Sequence, residues 1–144
     1  MIAVDTNLLV YAHRRESRYH EACSGLIRSL AEGDSRWAIP WPCIYEFFSV
    51  VTNPRIWKDT ASTPAQAGIQ IEAWLKSPTL SLLNETETLA DVVLPMIQQP
   101  RVRGAIVHDA RIAALCLAHG VEVLLTKDRD FQLFPKLNTR DPTA

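Results

Sequence analysis

The sequence has no excess of either charge, no long hydrophobic run, no paired-cysteine spacing and no repeat. Its 144 residues carry 15 Lys+Arg against 16 Asp+Glu, a formal net charge of −1. A protein that grips nucleic acid by bulk charge is basic, so that mode of binding is excluded. With 47% hydrophobic residues, a disordered charged tail is excluded too. No apolar run approaches the ~20 residues of a membrane span. The best candidate, Ile112 to Leu125, is broken by His119, Gly120 and Glu122. Met1-Ile2-Ala3-Val4-Asp5 has no basic region and no small-residue cleavage site, so a cytoplasmic protein is expected. Cys23, Cys43 and Cys116 are odd in number and scattered, which argues against a disulfide framework and C-x-x-C sites. They are expected to be buried free thiols. The histidines show no zinc-ligand spacing.

What is present is a regular alternation of short apolar runs and helical patterns. A chain near this length buries roughly 70% of its unfolded surface, so residues 1–144 are read as one domain. Ile2–Val4 reads as a buried strand, followed by a helical stretch from Leu8 to His13. Ser17 is a candidate cap for the next helix, to about Glu32, where Ala22, Leu26, Ile27 and Leu30 recur at helical spacing. Trp37–Ile39 is a strand, and Pro40 and Pro42 open a helix that Asn53-Pro54 closes. Thr63-Pro64 begins another helix, through Leu75, and residues 79–83 are β-like. A helix is expected from Thr86 to Met96, kinked or broken at Pro95. Ile106 to His119 is helical with Gly120 as its stop, and Val121 to Leu125 is a buried strand. This order predicts an α/β fold with a parallel sheet covered on both faces.

Ligands of such sheets sit beyond the carboxyl ends of the strands. Two of those ends carry acids, Asp5 and Asp128. Two helices add Glu46 and Asp109, each amid apolar neighbours. An acid in such surroundings is costly unless paired, hydrogen-bonded or bound to a metal. Two carboxylates ~5 Å apart repel by about 3 kcal/mol at an effective dielectric of ~20. Four that converge need a cation or raised pKa values. An all-carboxylate set selects hard ions, Mg²⁺ or Mn²⁺, which activate water and steady charge on a phosphate.

Four blocks carry a family resemblance. Asp5-Thr6-Asn7-Leu8-Leu9-Val10-Tyr11-Ala12, the isolated Glu46, Asp109-Ala110-Arg111-Ile112-Ala113-Ala114 and Thr126-Lys127-Asp128-Arg129-Asp130-Phe131 resemble the PIN-domain signature. More narrowly, they resemble the VapC toxins of bacterial toxin–antitoxin pairs. Thr52-Asn53-Pro54-Arg55 and His108-Asp109-Ala110 are similar to a VapC branch familiar from mycobacteria. The resemblance covers essentially the whole chain. It implies a three-layer α/β/α PIN-like fold with a short central parallel sheet. It also implies an endoribonuclease that uses one or two Mg²⁺ or Mn²⁺ ions, a cognate VapB-type antitoxin, and a homodimer. Asp5, Glu46, Asp109 and Asp128 match the family's metal-binding and catalytic acids in order. Asn7 and Thr126 match polar positions that orient them, and Asp130 matches a second acid of varying role.

RNA affinity would then come from a local rim, for which Arg14, Arg15, Arg55, Lys127 and Arg129 are the candidates, touching substrate or antitoxin. Each has a plainer reading as solvated surface. Asp130 has one as the cap of a short helical turn, and Tyr45, Phe47 and Phe48 have one as core or dimer surface. A haloacid-dehalogenase-type phosphatase also places an Asp after its first strand, but it needs D-x-D, and position 7 is Asn. A non-catalytic binding module with the same fold is the other alternative.

Overall fold

The computed structural model describes residues 1–144. Five short strands form the sheet: β1 (Ile2–Val4), β2 (Trp37–Pro40), β3 (Leu80–Leu83), β4 (Val123–Leu125) and β5 (Thr139–Arg140). Their order is β3-β2-β1-β4-β5, and every neighbouring pair is parallel. The helices are α1 (Thr6–His13), α2 (His20–Glu32), α3 (Trp41–Val51), α4 (Pro54–Trp57), α5 (Pro64–Leu75), α6 (Leu89–Ile97) and α7 (Ile106–Ala118). α1 packs on α2 and α3, α3 on α5, and α6 on α7. The result is the expected three-layer α/β/α arrangement.

The core explains the strands. Val4, Trp37, Ile39, Leu124 and Leu125 are fully buried between the helical layers, with Leu8, Leu9, Phe47, Ile112 and Leu115 against them. Each such side chain contributes about 1.5–3 kcal/mol relative to exposure. Phe47 meets Trp74 of α5 edge-on, with ring centroids 4.8 Å apart. All three cysteines are buried and free, as expected. No helix is long and apolar enough to cross a membrane.

Local chemistry sets the ends. Thr63 and Gln66 cap α5 reciprocally, and Pro64 sits in its first turn, where a missing N–H has no partner to lose. α7 stops at Gly120, whose φ of +71° lets Val121 N–H reach Cys116 O and Gly120 N–H reach Leu117 O.

Several expectations shift. α2 starts at His20, because Ser17 spends its hydroxyl and carbonyl on a turn that holds Tyr19 and His20. α6 starts at Leu89, because the Thr86 and Thr88 hydroxyls bond each other ahead of it. Pro95 does not break α6; it lies in the last turn, two residues before the helix ends at Ile97. Asn53 closes α3 but also caps a further short helix, α4, through Arg55 N–H. β5 went unanticipated: two exposed residues carry no apolar pattern, and only pairing with β4 makes them a strand.

Candidate active site

The register of the sheet creates the site. Val4 pairs with Leu125, so Asp5 and Thr126 leave the carboxyl ends of adjacent strands side by side. Asp5 is 4% exposed. Its Oδ1 accepts from Thr6 N–H at 2.8 Å, and the Cys43 thiol lies 3.6 Å away. Its Oδ2 accepts from Thr126 Oγ1 at 2.7 Å and from Asn7 Nδ2 at 3.3 Å. Burial pushes the Asp5 carboxyl from 3.8 up to about 6 despite these donors, and the Glu46 charge adds to the rise.

Thr126 Oγ1 is the hub. While donating to Asp5, it accepts from Asn7 Nδ2 at 3.2 Å and from the Asp128 backbone N–H at 3.0 Å. One donor and two acceptor sites are the whole capacity of a hydroxyl, and all are used. Asn7 Oδ1 in turn accepts from Lys127 N–H at 3.3 Å. Asn7 and Thr126 thus both hydrogen-bond Asp5 and the backbone of the loop that carries Asp128.

Glu46 faces the same place from α3. Its Oε2 accepts from Thr6 Oγ1 at 2.7 Å. This role of Thr6 was missed in the sequence, because its partner lies forty residues away. Asp109 enters from the first turn of α7 and is half-buried. Burial raises its carboxyl from 3.8 to about 7, with the charges of Asp128, Asp5, Asp130 and Glu46 adding in that order. Asp128 caps the 3₁₀ turn Arg129–Leu133 by accepting from Asp130 N–H at 2.8 Å. The capping role considered for Asp130 thus belongs to Asp128. Asp130 instead offers a carboxylate oxygen within 4.8 Å of Asp109 and Asp128.

Asp5, Glu46, Asp109 and Asp128 line one cleft of about 360 Å³, together with Thr6, Asn7, Val10, Tyr11, Val50 and Trp57. None of the ion pairs in the protein engages these acids or Asp130. Asp109, Asp128 and Asp130, with carboxylate oxygens within 4.8 Å of one another, repel by roughly 3 kcal/mol per pair at an effective dielectric of ~20. A cleft of carboxylate oxygens without a counter-charge fits a hard divalent cation, and the absence of histidine from it argues against zinc.

The proposed rim needs correction at two residues. Arg14 is 7% exposed and is not at a rim. Its guanidinium pairs with Glu16, donates to Thr60 O at 2.6 Å and to Thr60 Oγ1 at 3.1 Å, and lies 4.0 Å from the Trp57 ring centre. Lys127 Nζ is held by Asp141 at 3.0 Å and Thr143 at 2.7 Å, over the Tyr19 ring. Long-range partners claim both cations. Arg15, Arg55 and Arg129 remain exposed. Phe47 is core, whereas Tyr45 is 70% exposed and stacks on Trp41.

Comparison with known proteins agrees with this architecture. A family model described as the PIN domain matches residues 2–137. Ribonuclease VapC43 of Mycobacterium tuberculosis is 32% identical over 142 residues, covering 99% of this chain and 95% of its own. Ribonuclease VapC48 of the same organism is 28% identical over 138 residues, covering 96% and 94%. The crystal structure of VapBC-1 from nontypeable Haemophilus influenzae aligns with a TM-score of 0.68 at 20% identity, covering both chains completely, and shows a shared fold.

Proposed function

The chain belongs to the PIN-domain family, in its VapC ribonuclease branch, and from that premise we propose that it is the toxin of a VapBC-type pair: a Mg²⁺- or Mn²⁺-dependent endoribonuclease acting as one domain over residues 1–144. The observation that carries the reading is the cleft in which Asp5, Glu46, Asp109 and Asp128 converge without a counter-charge. These four would hold one or two ions, with Asp130 beside Asp109 and Asp128 as a further ligand. The chemistry a divalent cation held by these residues would supply is activation of water and stabilisation of charge on a phosphodiester.

The chain's own groups do the positioning. Thr126 and Asn7 hold Asp5 in one rotamer, and Thr6 holds Glu46. Such outer hydrogen bonds fix ligand orientation and tune a metal site. No serine, cysteine or histidine nucleophile lines the cleft, so hydrolysis by water is the chemistry that fits. The product would carry a 5′-phosphate, with no need for the 2′-hydroxyl as attacking group.

The partner is a VapB-type antitoxin. An antitoxin arginine placed among the acids would neutralise them bidentately and exclude the cation. A homodimer and a cytoplasmic setting complete the proposal. Cleaved RNA ends are mapped after brief expression of wild type and Asp5→Asn. Discrete 5′-phosphate ends present in wild type and absent from Asp5→Asn are expected. Identical end profiles from the two would refute the assignment. Activity on a small phosphomonoester with none on RNA would favour the phosphatase reading instead.

A further inference from the structure

The cleft has a mixed lining. Beside its carboxylates the same cleft is lined by an apolar wall of Val10, Tyr11, Val50 and Trp57. Both aromatic rings of that wall are held in place. Trp57 Nε1 donates to Val50 O at 2.8 Å, which ties the indole to the end of α3. The Arg14 guanidinium covers the indole 4.0 Å from its ring centre and is itself clamped by Thr60 and Glu16. Tyr11 packs on Tyr19, with ring centroids 5.1 Å apart.

The backbone around Trp57 is specialised as well. Lys58, the next residue, has φ +54° and is the only non-glycine residue in the left-handed region. A lysine there is strained and persists only where surrounding contacts enforce it. Those contacts are the Asn53 cap on Arg55, the Arg14 clamp on Thr60 and the Ser62 N–H bond to Val51 O. They hold a half-buried indole between the core and the acidic cleft.

We infer that Tyr11 and Trp57 form a nucleobase-stacking subsite that selects the nucleotide next to the cleaved bond. This rests on the nuclease reading. A nucleotide carries its phosphate and its base at different positions of the sugar, and this cleft is lined both by carboxylates and by two aromatic rings. A phosphodiester seated at the acids brings an adjacent base to the wall. Single-stranded RNA is recognised by stacking of unpaired bases on aromatic side chains. Rings fixed in advance do so at low entropic cost. Arg14 is a positioning residue in this scheme, acting through Trp57.

The test uses purified protein with Mn²⁺ and a short RNA containing the mapped cleavage site. Matched oligonucleotides lack the base on the 5′ or the 3′ side of that bond. Wild type should lose roughly tenfold or more in kcat/KM when the stacked base is absent, the size expected of one base–aromatic contact. Trp57→Ala should lose as much on the intact RNA, and little further on the abasic one. Trp57→Phe should recover most of the rate, and Tyr11→Leu should broaden the sequence preference in a randomised pool. Thermal melting identifies any variant that fails to fold, and the conservative Trp57→Phe and Tyr11→Leu then carry the test. Equal losses on intact and abasic RNA, or an unchanged preference, would overturn the inference. An unchanged preference with weaker inhibition by antitoxin would overturn it too, and would assign the wall to the protein partner. If wild type cuts neither RNA, the nuclease reading fails and this inference falls with it. If wild type cuts both equally, only this inference fails.

Discussion

Thr126 Oγ1 donates to Asp5 Oδ2 at 2.7 Å, across the junction of two adjacent strands and 121 residues of sequence. The same hydroxyl receives Asn7 and the backbone of Asp128. One oxygen thereby sets the relative positions of two of the four acids. This follows from the register: parallel pairing of Val4 with Leu125 places the residue after each strand at the same edge.

Thr126→Val keeps the shape and removes the hub. The buried Asp5 carboxylate then loses its shortest side-chain donor, which costs on the order of 1–3 kcal/mol for a buried group left short of a partner. Mn²⁺ affinity is expected to fall about 10- to 100-fold, as when outer-shell partners of metal ligands are removed. Thr126→Ser should restore most of both. Calorimetric Mn²⁺ titration and thermal melting measure the two effects. Unchanged affinity in Thr126→Val would contradict the positioning role.

The acids are expected to make the metal-free fold less stable at neutral pH than in mild acid. Asp5 and Asp109 are raised from 3.8 to about 6 and about 7, so the folded state binds more protons than the unfolded chain between those values. Their contribution is fully present below pH 3.8 and is lost as pH rises through 6 and 7. For the buried Asp5 alone the change is on the order of 3 kcal/mol. In EDTA, Tm should therefore fall from pH 5 to pH 8, less steeply in Asp109→Asn, and saturating Mn²⁺ should oppose the fall. The same slope in Asp109→Asn as in wild type would contradict the shift.

Removing charge from the cleft should separate stability from activity. Asp109→Asn relieves repulsion with Asp128, Asp5, Asp130 and Glu46 and is expected to raise Tm in EDTA by a few degrees, as a gain of about 1 kcal/mol does for a chain of this size. The same variant should lose RNA cleavage. Such opposition is common where a site is built for function at the expense of the fold. A lower Tm together with lost activity would indicate a structural role for Asp109 instead.

Arg14 and Arg15 are neighbours with different fates. Arg14→Ala removes hydrogen bonds to Thr60, the pairing with Glu16 and the stack on Trp57, and should cost about 2–4 kcal/mol of stability, counting charged hydrogen bonds and lost packing. Arg15→Ala, at an exposed position, should stay within about 0.5 kcal/mol. Urea denaturation of the two variants decides between them. Equal stabilities would return Arg14 to the surface.

Much of this was legible in the sequence. The strand-end acids announce themselves because a parallel sheet delivers ligands to its carboxyl edge, and the family resemblance joined Glu46 and Asp109 to them. Arg14 was misplaced because its charge suggests surface, whereas its partners Thr60 and Trp57 lie far along the chain. Thr6 went unnoticed for the same reason, and Lys127 is claimed by Asp141 and Thr143 from the far end. The near-neutral total charge masks this segregation: unpaired acids gather in one cleft while several cations are spent on the fold. A balance of 15 against 16 excludes binding by bulk charge but not an enzyme that meets RNA through a cation.

The most direct measurement is cleavage of a short RNA by the purified, antitoxin-free protein in Mg²⁺ or Mn²⁺, with EDTA and Asp5→Asn as comparisons. Cleavage to 5′-phosphate ends in either metal, abolished by EDTA and by Asp5→Asn while the variant still folds, is the predicted result. Undiminished cleavage by folded Asp5→Asn, or by wild type in EDTA, would contradict the account.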